Sequence, residues 1–232
     1  MEPSYIVCRG KDSTLKITFT PAIYTRGCEI AVVGLSTYYS YPNVDKTNNL
    51  VNITGPSVTK KIEFEKGCYE VGNLNDVVKR EFKWKKDEEK VVIRADPITL
   101  RTHLNIHEGW TVNFPEENSI ASIIGFQTKD YIGPNEFVGE RLTNILKVNN
   151  ILVQCDVIAG STINGKPAPV IFNCSPDVAA GSKIVAEPVV PIYLPVTLDI
   201  IQEFTVWVTD QDNELLDLQD EDLIITFHIR RR

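Results

Sequence analysis

The chain has 232 residues, of which 43% are hydrophobic and 24% are charged. These values are ordinary for a globular protein, and all-β sandwiches of this length can be one domain. The net charge of −7 argues against a nucleic-acid-coating protein, which would carry a broad basic face.

The first 41 residues predict three strands, which are YIVC at 5–8, STLKITFT at 13–20 and CEIAVVGLSTYY at 28–39. In the second of these, Leu15, Ile17 and Phe19 alternate with polar residues, a period that buries one face of a strand. The N-terminus has no charged start followed by a long apolar core, and no apolar stretch reaches the roughly 18–20 residues that cross a bilayer. We therefore expect neither a secretion signal nor a membrane span.

The middle of the chain mixes turns and strands. The segments 41–49 and 53–57 are rich in turn residues and are expected to be loops. Strands are predicted at VTKKIEF (58–64), VVIRA (91–95), ITLRTHLNI (98–106) and WTVNF (110–114). The charged segment KWKKDEEK at 83–90 is expected to be a solvated loop.

Two short helices are predicted in the same region. Asn73 is expected to cap LNDVVKREF at 74–82, where Leu74, Val77 and Val78 share one face at helical spacing. A second helical turn is expected at Ser119–Ile124, with Asn118 or Ser119 as its cap and Gly125 at its end.

The last third of the chain predicts five strands, namely VNNILVQCDVI (148–158), APVIFNC (168–174), VVPIYLPV (189–196), EFTVWVTD (203–210) and DLIITFHIR (222–230). Each is rich in β-branched or aromatic residues and is closed by Gly, Pro, Asn or Asp. No repeat of fixed period is visible, which argues against a propeller. An immunoglobulin-like sandwich or an OB-fold fits less well, because the Cys…Trp…Cys frame is missing and the chain is long.

The predicted fold is therefore all-β, a jelly-roll sandwich of about eight strands with one or two short helices in connecting loops. We expect residues 1–232 to form a single jelly-roll domain with an N-terminal strand-rich extension.

The order of motifs in this sequence also resembles a known family, the penton-type, single jelly-roll minor capsid proteins of Polinton (Maverick) elements and adintovirus-like viruses. The C-terminal residues that carry the resemblance are Gln154-Cys155-Asp156, then Tyr193, Pro195 and Val196, then Asp210, then His228 and Arg230. Upstream, three motifs occur in the same order as in the family. They are Gly67-Cys68-Tyr69, the pair Leu74 and Val77, and the Ile-Ile-Gly-Phe turn at 123–126.

The resemblance implies a structural protein rather than an enzyme. It implies a homopentamer at the vertices of an icosahedral capsid that contacts the major, double-jelly-roll capsid protein and could meet a host receptor through outward loops. The expected location is the virion, after synthesis in the host cytoplasm or nucleus without secretion. The alternative is a non-catalytic binding module, lectin-like or tumour-necrosis-like, for which an export signal would be expected.

Candidate chemistry is sparse, and we expect no catalytic, cofactor-binding or metal residues. The histidines His103 and His107 lie four residues apart and His228 is remote, so a tight His-x-His metal pair is missing. The five cysteines, Cys8, Cys28, Cys68, Cys155 and Cys174, form no C-x-x-C pair and are expected to be free thiols. Nucleophile-elbow and P-loop motifs are missing as well.

Two charged segments remain. Seven of the thirteen residues from Asp210 to Asp222 are acidic, and no Lys or Arg lies between Lys183 and Arg230. The sixth place of a calcium loop starting at Asp210 holds Leu215 rather than Gly, so we expect a solvated acidic loop. The basic cluster at 230–232 is expected to be a frayed cationic tail, without sequence-specific binding to nucleic acid.

Overall fold

A computed structural model describes residues 4–85 and 87–232. The chain divides into two compact units. The sandwich unit is formed by the chain before Pro42 together with Val148–Arg232, and the inserted unit is Pro42–Lys147. The single-domain expectation for residues 1–232 stays a prediction beside this division.

Three long strands open the sandwich unit. They are β1 (Ser4–Gly10), β2 (Thr14–Tyr24) and β3 (Cys28–Tyr38). All three were expected from the sequence, and the structure extends the first two by several residues.

The inserted unit follows β3, and its described residues form seven strands and two helices. They are β4 (Leu50–Gly55), β5 (Val58–Glu63), α1 (Val71–Phe82), β6 (Val91–Asp96), β7 (Arg101–Ile106), β8 (Thr111–Asn113), α2 (Ala121–Ile124), β9 (Asp130–Ile132) and β10 (Asn135–Val138). In the part of the chain that is described, no helix is long and apolar enough to cross a membrane.

The remaining strands complete the sandwich unit. They are β11 (Ile151–Cys155), β12 (Thr162–Ile163), β13 (Lys166–Pro167), β14 (Val170–Cys174), β15 (Lys183–Ala186), β16 (Leu194–Pro195), β17 (Ile200–Thr209) and β18 (Leu223–Arg231).

The strand order in the sandwich unit is that of a jelly roll. One sheet runs β1-β18-β3-β15, with β16 also pairing with β3, and the other runs β14-β11-β17-β2. The eight strands of these two orders are β1, β2, β3, β11, β14, β15, β17 and β18. Renumbered 1 to 8 along the chain, they form sheets of order 1-8-3-6 and 5-4-7-2, which is the interleaving of two Greek keys. The predicted all-β jelly roll of about eight strands is therefore confirmed.

The core of the sandwich unit follows from alternation along its strands. On β18, Leu223, Ile225, Phe227 and Ile229 are buried, whereas the residues between them are partly exposed. Phe227 meets Phe204 of the opposite sheet edge-to-face, with ring centroids 5.7 Å apart. Aromatic pairs of this geometry add to the free energy gained from burial.

The inserted unit has its own core. Two antiparallel sheets, β5-β4-β8-β9 and β10-β7-β6, share it with α1, whose Val71, Leu74 and Val78 are buried. Asn75 of α1 is also buried, and its side-chain oxygen accepts the backbone N–H of Ile93 on β6 at 2.8 Å. This bond fixes the helix against the sheet.

A buried asparagine joins the two ends of the inserted unit. The side-chain amide of Asn43 donates to the carbonyls of Tyr69 and Ile145 at 2.8 and 2.9 Å, and its oxygen accepts the Tyr69 N–H at 2.8 Å. Both N–H groups of the Asn43 side-chain amide therefore donate hydrogen bonds inside the unit.

The predicted helix caps need correction. Helix α1 begins earlier than expected, with Glu70 rather than Asn73 as N-cap, and the Asn73 side chain accepts the Glu70 N–H at 2.9 Å. For α2 the N-cap is Ile120, although the Ser119 hydroxyl does accept the Ala121 N–H at 3.2 Å. Gly125 ends α2 with φ +78°, as predicted.

One predicted strand is wrong for most of its length. In the segment 189–196 only Leu194–Pro195 is strand, because Pro191, like Pro188 just before the segment, lacks the N–H that a ladder requires. The expected break at 53–57 is also too wide, since β4 continues to Gly55.

Six strands were not predicted from the sequence, namely β4, β9, β10, β12, β13 and β15. Within the predicted loop 83–90, Lys86 lies outside the described residues.

Candidate functional site

An aromatic row crosses the outer face of the first sheet of the sandwich unit. Tyr5 on β1 pairs in register with His228 on β18, and their ring centroids are 5.0 Å apart. A hydrogen bond of 2.7 Å joins the hydroxyl of Tyr193 and Nδ1 of His228. Tyr5 remains 71% exposed, and Val7, which points to the same face of β1, is 64% exposed. We call the exposed pair Tyr5 and Val7 the β1 edge.

The basic C-terminus is bound to this row rather than frayed, which corrects the expectation for 230–232. The guanidinium of Arg230 lies 3.5 Å from the centroid of the Tyr193 ring, and its Nε is 2.7 Å from Oε1 of Glu29. Nε of Arg232 lies 3.6 Å from the other Glu29 oxygen, and Arg231 belongs to β18. Cation–π and charge-assisted contacts hold Arg230 in place.

A groove lies on the sandwich unit between edge strand β14 and the irregular segment 188–194. Its volume is about 350 Å³. None of the described side chains that line this side groove is charged, and they are Val32, Ser161, Val170, Ile171, Phe172, Asn173, Pro188, Val190, Ile192 and Leu194. Four consecutive residues of β14 line the groove, so it runs along the strand.

The rim of the side groove is unusually apolar. Val189, Val190 and Ile192 are 101%, 75% and 72% exposed. Single exposed apolar residues are common on soluble proteins, whereas a contiguous group of them is typical of interaction surfaces.

The β1 edge and the side groove lie at opposite edges of the sandwich, and the row Tyr5–His228–Tyr193 runs from the first toward the segment 188–194 that borders the second. Strand β1 ends one sheet and packs against β2, which ends the other. Strand β14 ends the second sheet at its far side and packs against β3, which carries β15 and β16 on its outer edge. Edge strands expose unpaired backbone groups, so both sides suit pairing with another chain.

The two histidines of the inserted unit are in different settings. His103 lies between two carboxylates, with Nδ1 2.8 Å from Oε1 of Glu136 and Nε2 3.6 Å from Oδ2 of Asp96. Arg94 contacts the same Glu136 oxygen at 2.6 Å. His107 follows the end of β7 and is exposed, so the two rings do not form a shared site. The cluster around His103 pins β10 to β7 and β6.

The acidic segment from Asp210 to Asp222 forms the loop between β17 and β18. The carboxylate of Asp210 is buried and accepts the N–H groups of Asp212 and Glu214 at 2.9 and 3.0 Å. Asp222 is paired with Arg9 at 2.8 Å. Over residues 4–85 and 87–232, no three His, Cys, Asp or Glu side chains come together as a metal site requires.

The cysteines are all free thiols, as predicted. Cys8, Cys28 and Cys155 are buried in the sandwich core, Cys174 is half-buried and Cys68 is exposed. Burial raises the pKa of Cys8 to about 11 and that of Cys155 to about 12. Because the thiolate is the reactive form, these two residues are inert packing groups at neutral pH.

Comparisons with known proteins extend this description. The sequence matches no protein-family model and no curated protein. Its structure is similar to the crystal structure of the selenomethionine-labelled mavirus penton protein, with a TM-score of 0.51, 10% sequence identity and coverage of 99% of both chains. The chain has the fold of a viral penton protein. The resemblance found in the sequence is thereby confirmed at the level of the fold.

Sequence reasoning missed the two surfaces that stand out on this penton-like fold. The β1 edge was assigned to a strand without a prediction of which side would face solvent. The rim of the side groove lies in the segment 189–196, which the sequence predicts as a strand because it is rich in β-branched and aromatic residues. The signal for an irregular segment is Pro188 together with Pro191, since neither has an N–H to donate to a neighbouring strand.

Proposed function

We propose that this protein is a structural, non-enzymatic minor capsid protein of the penton type, which forms homopentamers at the vertices of an icosahedral shell. The observation that supports this function is the likeness to the mavirus penton protein over 99% of both chains. This structural likeness covers the inserted unit as well as the jelly roll. A common sandwich alone would be weaker support, because jelly rolls serve many functions.

The proposed mechanism is closure by head-to-tail contacts. In a ring, each copy uses one surface to contact the next copy and a different surface to receive the previous one. The rotation between copies decides whether such contacts close. The exposed apolar surface of the sandwich unit supports this mechanism, because such surface is stabilised when it is removed from water.

The same proposal names the remaining partners and the location. The penton contacts the major double-jelly-roll capsid protein, and its outward loops are free to meet a host receptor. It resides at the capsid vertex after synthesis in the host cytoplasm or nucleus, and it neither spans a membrane nor reads nucleic-acid sequence. The net charge of −7 supports protein partners over nucleic acid.

A non-catalytic binding module is the second candidate. The observation that favours it is the side groove, whose volume of about 350 Å³ lies within the range of small-ligand pockets. In that case the protein would be a monomer that binds an apolar ligand.

Particle mass in solution separates these functions. Mass photometry of the purified protein is expected to give a species of about 130 kDa, five times the 26.1 kDa chain, and negative-stain images should show rings with five-fold symmetry. A monomer at every concentration and salt condition tested would exclude the penton function.

A further inference from the structure

We propose that the side groove of one copy receives the β1 edge of a second copy, so that Tyr5 and Val7 dock beside β14 and the 188–194 segment. This inference rests on the proposed function and names the contact between neighbouring copies in the ring.

The side groove and the β1 edge match in polarity. The groove has no charged lining side chain among the described residues, although the parts of the sequence that form the sandwich unit contain fifteen acidic and nine basic residues. A partner that brought a charge into the groove would lose hydration without gaining an ion pair there. Tyr5 and Val7 are uncharged, and the neighbouring Arg9 is already paired with Asp222. The β1 edge therefore fits the groove in charge.

The positions of the two surfaces suit a contact that repeats around a ring. The β1 edge and the side groove are different surfaces at opposite edges of one sandwich, because β1 and β14 end their sheets at opposite edges. A contact between two different surfaces is heterologous, and repetition of it from copy to copy generates a ring when the rotation closes. An isologous contact of either surface with itself would end at a dimer.

Tyr5 is also of a residue type that suits an interface. Tyrosine is enriched among residues that dominate binding energy, because its ring buries a large area while the hydroxyl keeps a polar partner. The Tyr5 ring is held against His228 yet remains largely exposed, so little side-chain freedom is lost when a second copy covers it.

The test uses exposed positions, so that folding is preserved. Val7→Lys and Val190→Glu each place an unpaired charge in the contact and should weaken association by roughly tenfold or more. The double variant Val7→Lys/Val190→Glu places opposite charges across every contact of the ring and should restore the oligomer. Mass photometry across a concentration series measures all three, and circular dichroism checks that each variant is folded.

A matched control is Ile132→Lys on β9 of the inserted unit, because Ile132 is 64% exposed like Val7. It should leave the oligomer unchanged. Wild-type rings that persist in both single variants would overturn this contact and leave the penton function standing, as would single variants that dissociate without rescue in the double variant. A wild-type chain that never oligomerises would overturn both.

Discussion

The sandwich unit and the inserted unit differ in how they distribute charge. The inserted unit has sixteen acidic and fifteen basic residues, whereas the segments of the sandwich unit have fifteen and nine. Pairs such as Lys79–Glu89 at 2.8 Å and Lys129–Glu140 at 3.1 Å balance charge locally in the inserted unit. The sandwich unit instead concentrates its excess in the loop 210–222 and leaves the side groove uncharged. Its surface is therefore divided into an acidic part and a neutral, apolar part.

The units also differ in the range of their strand pairing. The inserted unit is built largely from neighbours in sequence, such as the hairpins β4–β5 and β6–β7. The sandwich unit pairs Ser4 with Ile229 and β2 with β17, so its sheets require both ends of the chain. Contacts of long sequence separation form late because loop closure must come first. We infer that the inserted unit can fold before the sandwich does.

The largest expected loss of stability comes from core substitutions that test whether the two cores unfold independently. Phe227→Ala empties a fully buried site of the sandwich core and should cost about 3–5 kcal/mol, and Phe64→Ala should cost the inserted unit a similar amount. Trp207 reports on the first unit, and Trp84 and Trp110 report on the second. In thermal unfolding followed with single-tryptophan variants, each substitution should lower one transition only. A common shift of both transitions would show one cooperative core.

A smaller effect is expected at one of two glycines that have the same φ, one in each unit. Gly125 and Gly165 both have φ +78°, but a Cβ on Gly125 would lie 2.3 Å from the Arg141 carbonyl oxygen, whereas nothing lies within 4 Å at Gly165. Gly125→Ala should cost about 2–4 kcal/mol through strain and overpacking. Gly165→Ala should cost about 1 kcal/mol from the left-handed conformation alone. Chemical denaturation measures both, and equal costs would contradict the crowding at Gly125.

The smallest expected change in stability comes from removing one charge, Glu136, of the inserted unit. Hydrogen bonds from His103 and then Arg94 lower the pKa of Glu136 below the usual value of about 4.3. A depressed folded-state pKa stabilises the protein above that usual value, and the stabilisation is lost as the pH falls through the lowered pKa. Glu136→Gln should therefore lower the Trp84 and Trp110 transition at pH 6, and the difference from wild type should vanish at low pH.

The control for this pH dependence is Glu117→Gln, which removes an exposed carboxylate that forms no ion pair among the described residues. Its transition should stay close to that of wild type at pH 6. A Glu136→Gln variant with the same offset at every pH would mean that the carboxylate acts through packing rather than charge.

Local patterns predicted much of the sandwich unit. The alternation on β2 and β18 and the aromatic run on β17 identify the strands, because a half-buried strand requires a period of two whatever its partner. The same patterns did not separate the inserted unit, since its turns and strands look locally like those of the jelly roll. The division depends on which residues meet across the chain, as Asn43 meets Ile145.

By itself, the sequence determined the all-β class, the end of α2 at Gly125 and the free thiols, because each follows from residue type and spacing. Tertiary structure decided that most of the apolar segment 188–192 is exposed, that Arg230 is held by Glu29 and Tyr193, and that the β1 edge and side groove lie at opposite edges of the sandwich. The physical reason is that hydrophobic burial is non-directional. An apolar segment is stabilised when it is removed from water, whichever chain supplies the surface that covers it. Only the neighbouring strands decide whether that surface comes from the same chain or from another.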